Sequence, residues 1–304
     1  MLYTWIIATR PWSFTAALIP ISLGTALAWS GTVTTSGVPF HFFCFLLILL
    51  SGILLQAGTN LLNTYGDFIS GVDTLDSAIT CPQLVRGILL PEKVKQVGIA
   101  LLVFSVILGF ILYLLSGWPI LLFGLIGLIG SATYTTGSSP YKYKGLGPIF
   151  VFFLMGPCMV LPAYYVQTDV LTWSPFFASL PISFLVTAIM HANDLRDIQH
   201  DKLANISTVA IWLELKSSLV LYRILCLGAF VSLIFVVAFG LVPITGILPL
   251  ALTPYLNSKL KRLRVSEAGS ELIMLEGWTV QFHFLFGVFY VVGVFLWGII
   301  QIVL

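Results

Sequence analysis

The chain has 304 residues, of which 59% are apolar and only 9% charged, and its mean hydropathy is +1.04. An ordinary soluble domain carries about 45–50% apolar and about 25% charged residues, so a soluble globule and a disordered chain are both excluded. Fourteen Lys and Arg against twelve Asp and Glu leave a net charge of +2, too small a surplus for nucleic acid to be a partner. The surroundings this composition suits are those of a lipid bilayer.

Apolar runs follow one another along the chain. The first is 11–30, after Arg10. Ala26-Leu27-Ala28 imitates a signal-peptide cleavage site, but the segment before Arg10 is apolar rather than basic, so a retained helix is expected. Further runs lie near 40–66, 95–116, 118–137, 148–167, 173–192, 217–239, 242–258 and 279–302. Each approaches the roughly 20 residues that cross the hydrocarbon core. Gly117-Trp118-Pro119 and Gly240 to Pro243 divide two long stretches into helical hairpins. The expectation is an all-α polytopic membrane protein, a single domain over 1–304, with nine transmembrane helices around a central cavity. The cysteines Cys44, Cys81, Cys158 and Cys226 are widely spaced and suggest neither a disulfide framework nor a zinc site.

Charge gives the expected topology. The connections after the first, third, fifth, seventh and ninth spans hold no Lys or Arg, and Asp169 is their one acid. The fourteen cations are Arg10, Arg86, Lys93, Lys95, Lys142, Lys144, Arg196, Lys202, Lys216, Arg223, Lys259, Lys261, Arg262 and Arg264, and all fall to the opposite side. Cytoplasmic loops concentrate Lys and Arg, so the N-terminus and these loops are expected to be cytoplasmic (at the plasma membrane in a bacterium or archaeon). Eleven of the twelve acids share that side, and a topology signal does not require them there.

Two polar constellations account for many of those acids. At the end of the second span, Asn60, Asn63 and Asp67 are spaced i, i+3, i+7 and share one helical face. Gly66 and Gly71 suggest a loosened turn that brings Asp73 back beside Asp67, with Asp76 following. At the end of the sixth span, Asn193, Asp197 and Asp201 form an i, i+4, i+8 stripe that also contains Asp194 and Arg196 nearby. Asn63 and Asp67 correspond to Asn193 and Asp197 at an offset of four spans. That suggests two four-helix pseudo-repeats plus a last helix, with both clusters opening to the same side. Like charges one turn apart repel, and a cation would relieve them. Mg²⁺ uses few carboxylates and completes its shell with water and phosphate oxygens. Two such clusters therefore suit a diphosphate held by metal and by Arg86, Lys142, Arg196 and Lys202, with a lipid tail lying between helices. The chemistry that fits is ionisation of an allylic polyprenyl diphosphate and attack by an electron-rich acceptor.

The chain resembles the intramembrane aromatic prenyltransferases of the UbiA superfamily. Asn63-Thr64-Tyr65-Gly66-Asp67 through Gly71-Val72-Asp73 is similar to the first aspartate motif of the menaquinone branch, and Asn193, Arg196, Asp197, Asp201 and Lys202 to its second. Arg10-Pro11-Trp12-Ser13 and Tyr141 to Gly147 are also similar to that branch. The resemblance implies that Asp67, Asp73, Asp197 and Asp201 organise Mg²⁺, the cofactor, and diphosphate, with Asn63 and Asn193 beside them. It implies Lys142, Arg196 and Lys202 as phosphate contacts, and 1,4-dihydroxy-2-naphthoate as an acceptor that loses its carboxylate. Thr64 replaces the first Asp of the general motif, and Pro148 stands where many members of the family carry an Asp.

Other residues have plainer readings. Tyr65 and Tyr134 are candidate cation stabilisers through their ring faces, against a default of packing. His191 is expected to be packed or hydrogen-bonded, and His41, His200 and His283 to be at the surface or interface. Lys259, Lys261, Arg262 and Arg264 read as an anchor facing anionic lipid, with Glu267, Glu271 and Glu276 balancing them. Thr135, Ser138 and Ser139 read as a helix cap. Other aromatic acceptors (4-hydroxybenzoate, haem or a chlorophyll-type ring) and a secondary transporter are the alternative functions. Transporters, however, place ionisable groups near the midplane.

Overall fold

The computed structural model describes residues 1–35, 40–75, 78, 81–134, 140–263 and 268–303. Asp76, Thr135, Ser138, Ser139, Arg264 and Glu267 lie outside them. The described residues form eleven α-helices and no β-strand, apart from an isolated bridge between Lys144 and Ser207. The helices are α1 Leu2–Ala8, α2 Thr15–Thr35, α3 Phe42–Ile69, α4 Pro91–Ser116, α5 Pro119–Ala132, α6 Gly147–Leu154, α7 Pro157–Thr168, α8 Trp173–Leu203, α9 Val209–Ala238, α10 Thr253–Arg262 and α11 Ala268–Val303. Among the described residues, seven helical stretches are long and apolar enough to cross a membrane.

Several expected spans differ in detail, for local reasons. The 148–167 run is broken into α6 and α7 at Gly156-Pro157, because proline offers no N–H and its ring meets the carbonyl four residues back. The 118–137 run yields only the shorter α5. The 242–258 run is a 3₁₀ segment, Ile244–Leu252, which Pro249 keeps from closing as α-helix and which leads into α10. Helix α9 starts well before 217 and contains a break at Glu214, whose φ is 57°.

Three buried clusters hold the bundle together. The largest joins α2, α8, α9 and α11 through Leu23, Ile182, Leu185, Tyr222, Phe282 and Phe286. A second joins α2, α3, α4, α5 and α7 through Ala17, Ile21, Leu47, Leu112, Ile120 and Ala163. The third, with Ala8, Leu61, Leu84, Leu89 and Val94, underlies the C-terminal end of α3. Helices α3 and α4 cross closely at two glycines, where a Cβ on Gly58 would stand 2.9 Å from the Gly98 carbonyl oxygen. Small residues permit such approaches where no hydrophobic force separates helix from lipid. Outside, Phe104, Ile107, Phe110 and Leu114 of α4 are exposed, as a lipid-facing surface requires.

Candidate active site

Helix α3 carries the first constellation straight through Gly66 and ends at Ser70. Gly71 then turns into the left-handed region at φ 74°. The Val72 N–H reaches back to the Asp67 carbonyl at 2.9 Å and the Gly71 N–H to that of Phe68 at 3.2 Å, the two bonds of a Schellman stop. The Asp73 N–H also meets the Asp67 carbonyl, at 3.1 Å. The fold-back of Asp73 thus comes from one glycine turn, and Gly66 stays helical. Helix α8 is continuous to Leu203, so Asn193, Asp197 and Asp201 remain on one helical stripe.

The two helix ends meet. A cavity of about 40 Å³ is lined by Asp67, Asp73, Asp197 and Asp201, together with Arg10, Lys142, Arg196, Asn193 and His200. Lys142 lines this cavity and is anchored on the α3 side. Its ammonium donates to Asp67 Oδ2 at 2.8 Å and to Asn63 Oδ1 at 3.4 Å, and the Tyr143 hydroxyl donates to Asp67 Oδ1 at 2.6 Å. The Lys142 loop is held from both sides. The Lys142 N–H bonds the Tyr134 carbonyl at 3.2 Å, and the Ser207 N–H, beyond α8, bonds that of Tyr143 at 3.2 Å. On the opposite wall Arg196 donates to both oxygens of Asp197, at 2.8 and 2.6 Å, and to Glu276 Oε2. Asn193 Nδ2 reaches the same Glu276 oxygen at 3.3 Å.

The electrostatics follow from crowding four carboxylates around three cations. Burial, and then the neighbouring Asp67 charge, push the Asp73 carboxyl up to about 6. Burial alone would favour a neutral Lys142, but the charge and hydrogen bond of Asp67, together with Tyr134 and Tyr143, outweigh it and raise the ammonium above its ordinary range. Burial, followed by the Asp67 charge, raises Tyr143 as well, so its proton stays in the bond to Asp67.

A second, larger cavity of about 160 Å³ shares Arg10, Lys142 and Asn193 as wall residues. Its floor is apolar: Leu55, Gly127, Val151, Leu154, Met159 and Ile189 are among the lining residues. Tyr134 is at its wall, with the Lys142 ammonium 5.9 Å from the ring centroid.

Some predicted site residues stand elsewhere. Arg86 and Lys202 are exposed and line neither cavity. Tyr65 packs against the cluster beneath α3 with Lys95 5.3 Å from its ring, also outside both cavities. Asp194 is 2% exposed, lines neither cavity, and leaves Oδ2 without a hydrogen bond. His191 is buried and bonded to the Ser218 carbonyl at 3.0 Å, as a packed histidine should be. His283 is fully buried against Thr15, not interfacial, and His200 lines the smaller cavity. Glu271 does pair with Lys259, at 2.6 Å. Glu276 does not serve that loop: it is in the site.

Sequence reasoning also missed Arg10 and Tyr143 as site residues. Arg10 is held by left-handed backbone at φ 54°, and its guanidinium donates to Thr64 Oγ1 at 3.1 Å and Cys81 Sγ at 3.3 Å. Thr64 therefore gives Arg10 a neutral partner. For Glu276 a signal existed. Glu276, Thr279 and His283 repeat at i, i+3, i+7 inside an apolar span, a polar stripe in the style of those on α3 and α8.

These features define a helical membrane protein with an acidic, cation-crossed chamber opening beside an apolar one. The chain belongs to the UbiA prenyltransferase family, whose model matches residues 17–286; it is a prenyltransferase of that type. It is 32% identical over 295 residues, 96% of the chain and 82% of the relative, to UbiA prenyltransferase domain-containing protein 1 of Xenopus tropicalis. It is 34% identical over 238 residues, 78% of the chain and 73% of the relative, to the 1,4-dihydroxy-2-naphthoate octaprenyltransferase of Bacillus subtilis. Among solved structures its fold resembles a UbiA homologue from Archaeoglobus fulgidus bound to GPP and Mg²⁺, with TM-score 0.57 and 15% identity over 99% of this chain and 100% of that one. The apo UbiA homologue from Aeropyrum pernix K1 aligns with TM-score 0.63 and 16% identity, over 94% and 98%.

Proposed function

We propose that this protein transfers a polyprenyl group from polyprenyl diphosphate to an aromatic quinone precursor, 1,4-dihydroxy-2-naphthoate, with loss of the ring carboxylate, in menaquinone biosynthesis. The observation that carries this reading is the pair of cavities sharing Arg10, Lys142 and Asn193: one is acidic and crossed by cations, the other apolar. A diphosphate head and an isoprenoid tail are the two halves of one donor that such a pair suits. The dihydroxynaphthoate prenyltransferase of Bacillus subtilis among the relatives supports the choice of acceptor.

Asp67, Asp73, Asp197 and Asp201 offer only hard oxygen donors, divided between two facing helix ends. Among the described residues no three acidic, His or Cys side chains form a compact metal cluster. Mg²⁺ rarely asks for one, taking one or two carboxylates and filling its shell with water and phosphate oxygen. The four aspartates would hold Mg²⁺, and bound there it would offset charge on the departing diphosphate. The chain's own part is the fixed positive charge of Lys142 and Arg10, with Tyr143 holding Asp67 in place. Apolar walls keep water from an allylic cation.

The same reading makes residues 1–304 one membrane-embedded unit with nine crossings and two four-helix repeats. α5 and the Ile244–Arg262 segment would supply the two crossings beyond the seven long helical stretches. The one-sided cations support an N-terminus and an acidic chamber at the cytoplasmic face. Purified protein offered prenyl diphosphates and a panel of aromatic acceptors, with product masses measured, tests the assignment. Prenylated, decarboxylated naphthoate is expected. Turnover of 4-hydroxybenzoate but not of the naphthoate overturns it. Asp197→Ala is expected to abolish turnover at saturating Mg²⁺ while the protein still folds, and retained activity would remove Asp197 from the site.

A further inference from the structure

We propose that Glu276 is the carboxylate that receives the acceptor: it takes the hydrogen bond of a ring hydroxyl and accepts that proton as the ring carbon attacks. The inference rests on the prenyl-transfer reading above and names the group that recognises its aromatic substrate. Among the residues lining the larger cavity, Glu276 is the single acid, and Arg10, Lys142 and Asn193 line it with Glu276. Its side chain is 16% exposed and lies within an apolar span. A carboxylate in that setting is costly unless partnered and marks function by default.

Only half of this carboxylate is spoken for. Oε2 accepts from Arg196 and from Asn193, which fixes its orientation. Oε1 takes no hydrogen bond from the described residues. Orienting Arg196 would not by itself require Glu276, since Asp197 already holds that guanidinium through two bonds. The same cavity has a polar patch in Ser13, Gln56 and Asn60, and Gln56 Oε1 is buried without a partner. Acceptor oxygens at the polar residues and a hydrocarbon tail along the apolar floor would use both kinds of wall.

The step balances. The allylic C–O bond breaks and its electron pair leaves on the diphosphate. The ring carbon bearing the carboxylate supplies the pair for the new C–C bond. The adjacent hydroxyl gives its proton to Glu276 and becomes a keto group. The resulting β-keto carboxylate loses CO₂, the pair from that bond returns to the ring as an enolate, and Glu276 hands the proton back to its oxygen. Donor and acceptor are the only reactants consumed, and no oxidant is required.

The test is steady-state kinetics of purified wild type, Glu276→Gln and Glu276→Asp, varying the prenyl diphosphate and dihydroxynaphthoate separately. It is accompanied by inhibition of the wild type with the naphthoate methylated on the hydroxyl beside the carboxylate. Glu276→Gln is expected to lower kcat by about 100-fold or more with the donor KM within about twofold, which also reports an intact fold. Glu276→Asp should recover part of the loss, and the methoxy analogue should bind wild type at least about tenfold more weakly than the hydroxy acceptor. A rise confined to the donor KM would make Glu276 a positioning residue for Arg196 and overturn the proposal. So would unchanged kinetics, or equal binding of methoxy and hydroxy compounds to wild type, a measurement that needs no variant. If wild type itself fails to turn over the naphthoate, the acceptor assignment falls and this inference falls with it, whereas normal wild-type turnover with an indifferent Glu276→Gln sinks this inference alone.

Discussion

Replacing Lys142 with Met keeps the length of the side chain and removes its charge. In the native protein the ammonium stands 2.8 Å from Asp67 Oδ2, with side-chain exposures of 13% and 5%. At an effective dielectric of about 20, that separation corresponds to roughly 6 kcal/mol of attraction. Much of it only offsets the cost of taking both charges out of water. The variant instead leaves a buried carboxylate with one remaining side-chain donor among the described residues, the Tyr143 hydroxyl at 2.6 Å. Breaking one side of a buried pair costs about 3–5 kcal/mol, so Lys142→Met should unfold roughly 5–10 °C lower than wild type in detergent. Adding Asp67→Asn removes the stranded charge, and the double variant should regain most of that stability. Its prenyl transfer should remain abolished, because both a proposed diphosphate cation and a proposed metal ligand are gone. Thermal unfolding of the wild type, both single variants and the double variant, with turnover measured in parallel, gives the coupling directly. If the double variant were no more stable than Lys142→Met, the pair would not be what holds the α3 end to the Lys142 loop. Wild-type turnover by Lys142→Met would exclude that side chain from the donor site.

Two further outcomes follow from the same geometry. Burial and the Asp67 charge push the Asp73 carboxyl up to about 6, so its contribution to stability is present at low pH and is lost as pH rises through about 6. Mg²⁺ competes with that proton, so the Mg²⁺ concentration for half-maximal activity should rise as pH falls below 6. The dependence should flatten in Asp73→Asn, and a requirement independent of pH between 5 and 7 would contradict the placement. At Gly130 a Cβ would stand 2.5 Å from Leu154 Cδ1, both residues lining the larger cavity. Gly130→Val should therefore fold, displace the Leu154 tip into the cavity and move donor preference toward shorter prenyl chains by about 10-fold. An unaltered chain-length profile would place the tail elsewhere.

Local spacing explains which parts of the site could be read in advance. Asn63 and Asp67, like Asn193 and Asp197, are one turn apart on a helix that is continuous in the structure, so a common face followed from helical geometry alone. Adjacency in sequence was the misleading cue. Tyr65 precedes Asp67 by two residues, about 200° around the helix, and it points into the cluster beneath α3 instead of the chamber. Lys202 follows Asp201 by one, about 100° away, and its side chain is exposed. Arg10 and Tyr143 reach Thr64 and Asp67 from 54 and 76 residues away. Their arrival depends on how α1 and the Lys142 loop close over α3, which no local period records. Glu276 lies between these cases. Its place in an i, i+3, i+7 stripe was legible, but the nearby Lys259, Lys261 and Arg262 offered a loop-neutralising role that was simpler. What separates the two readings is side-chain direction: Glu271 turns to Lys259, whereas Glu276, five residues on and about 140° further around α11, turns inward to Arg196. An acid on the inward face of an apolar span has no solvent to neutralise it, so its partner must be in the bundle.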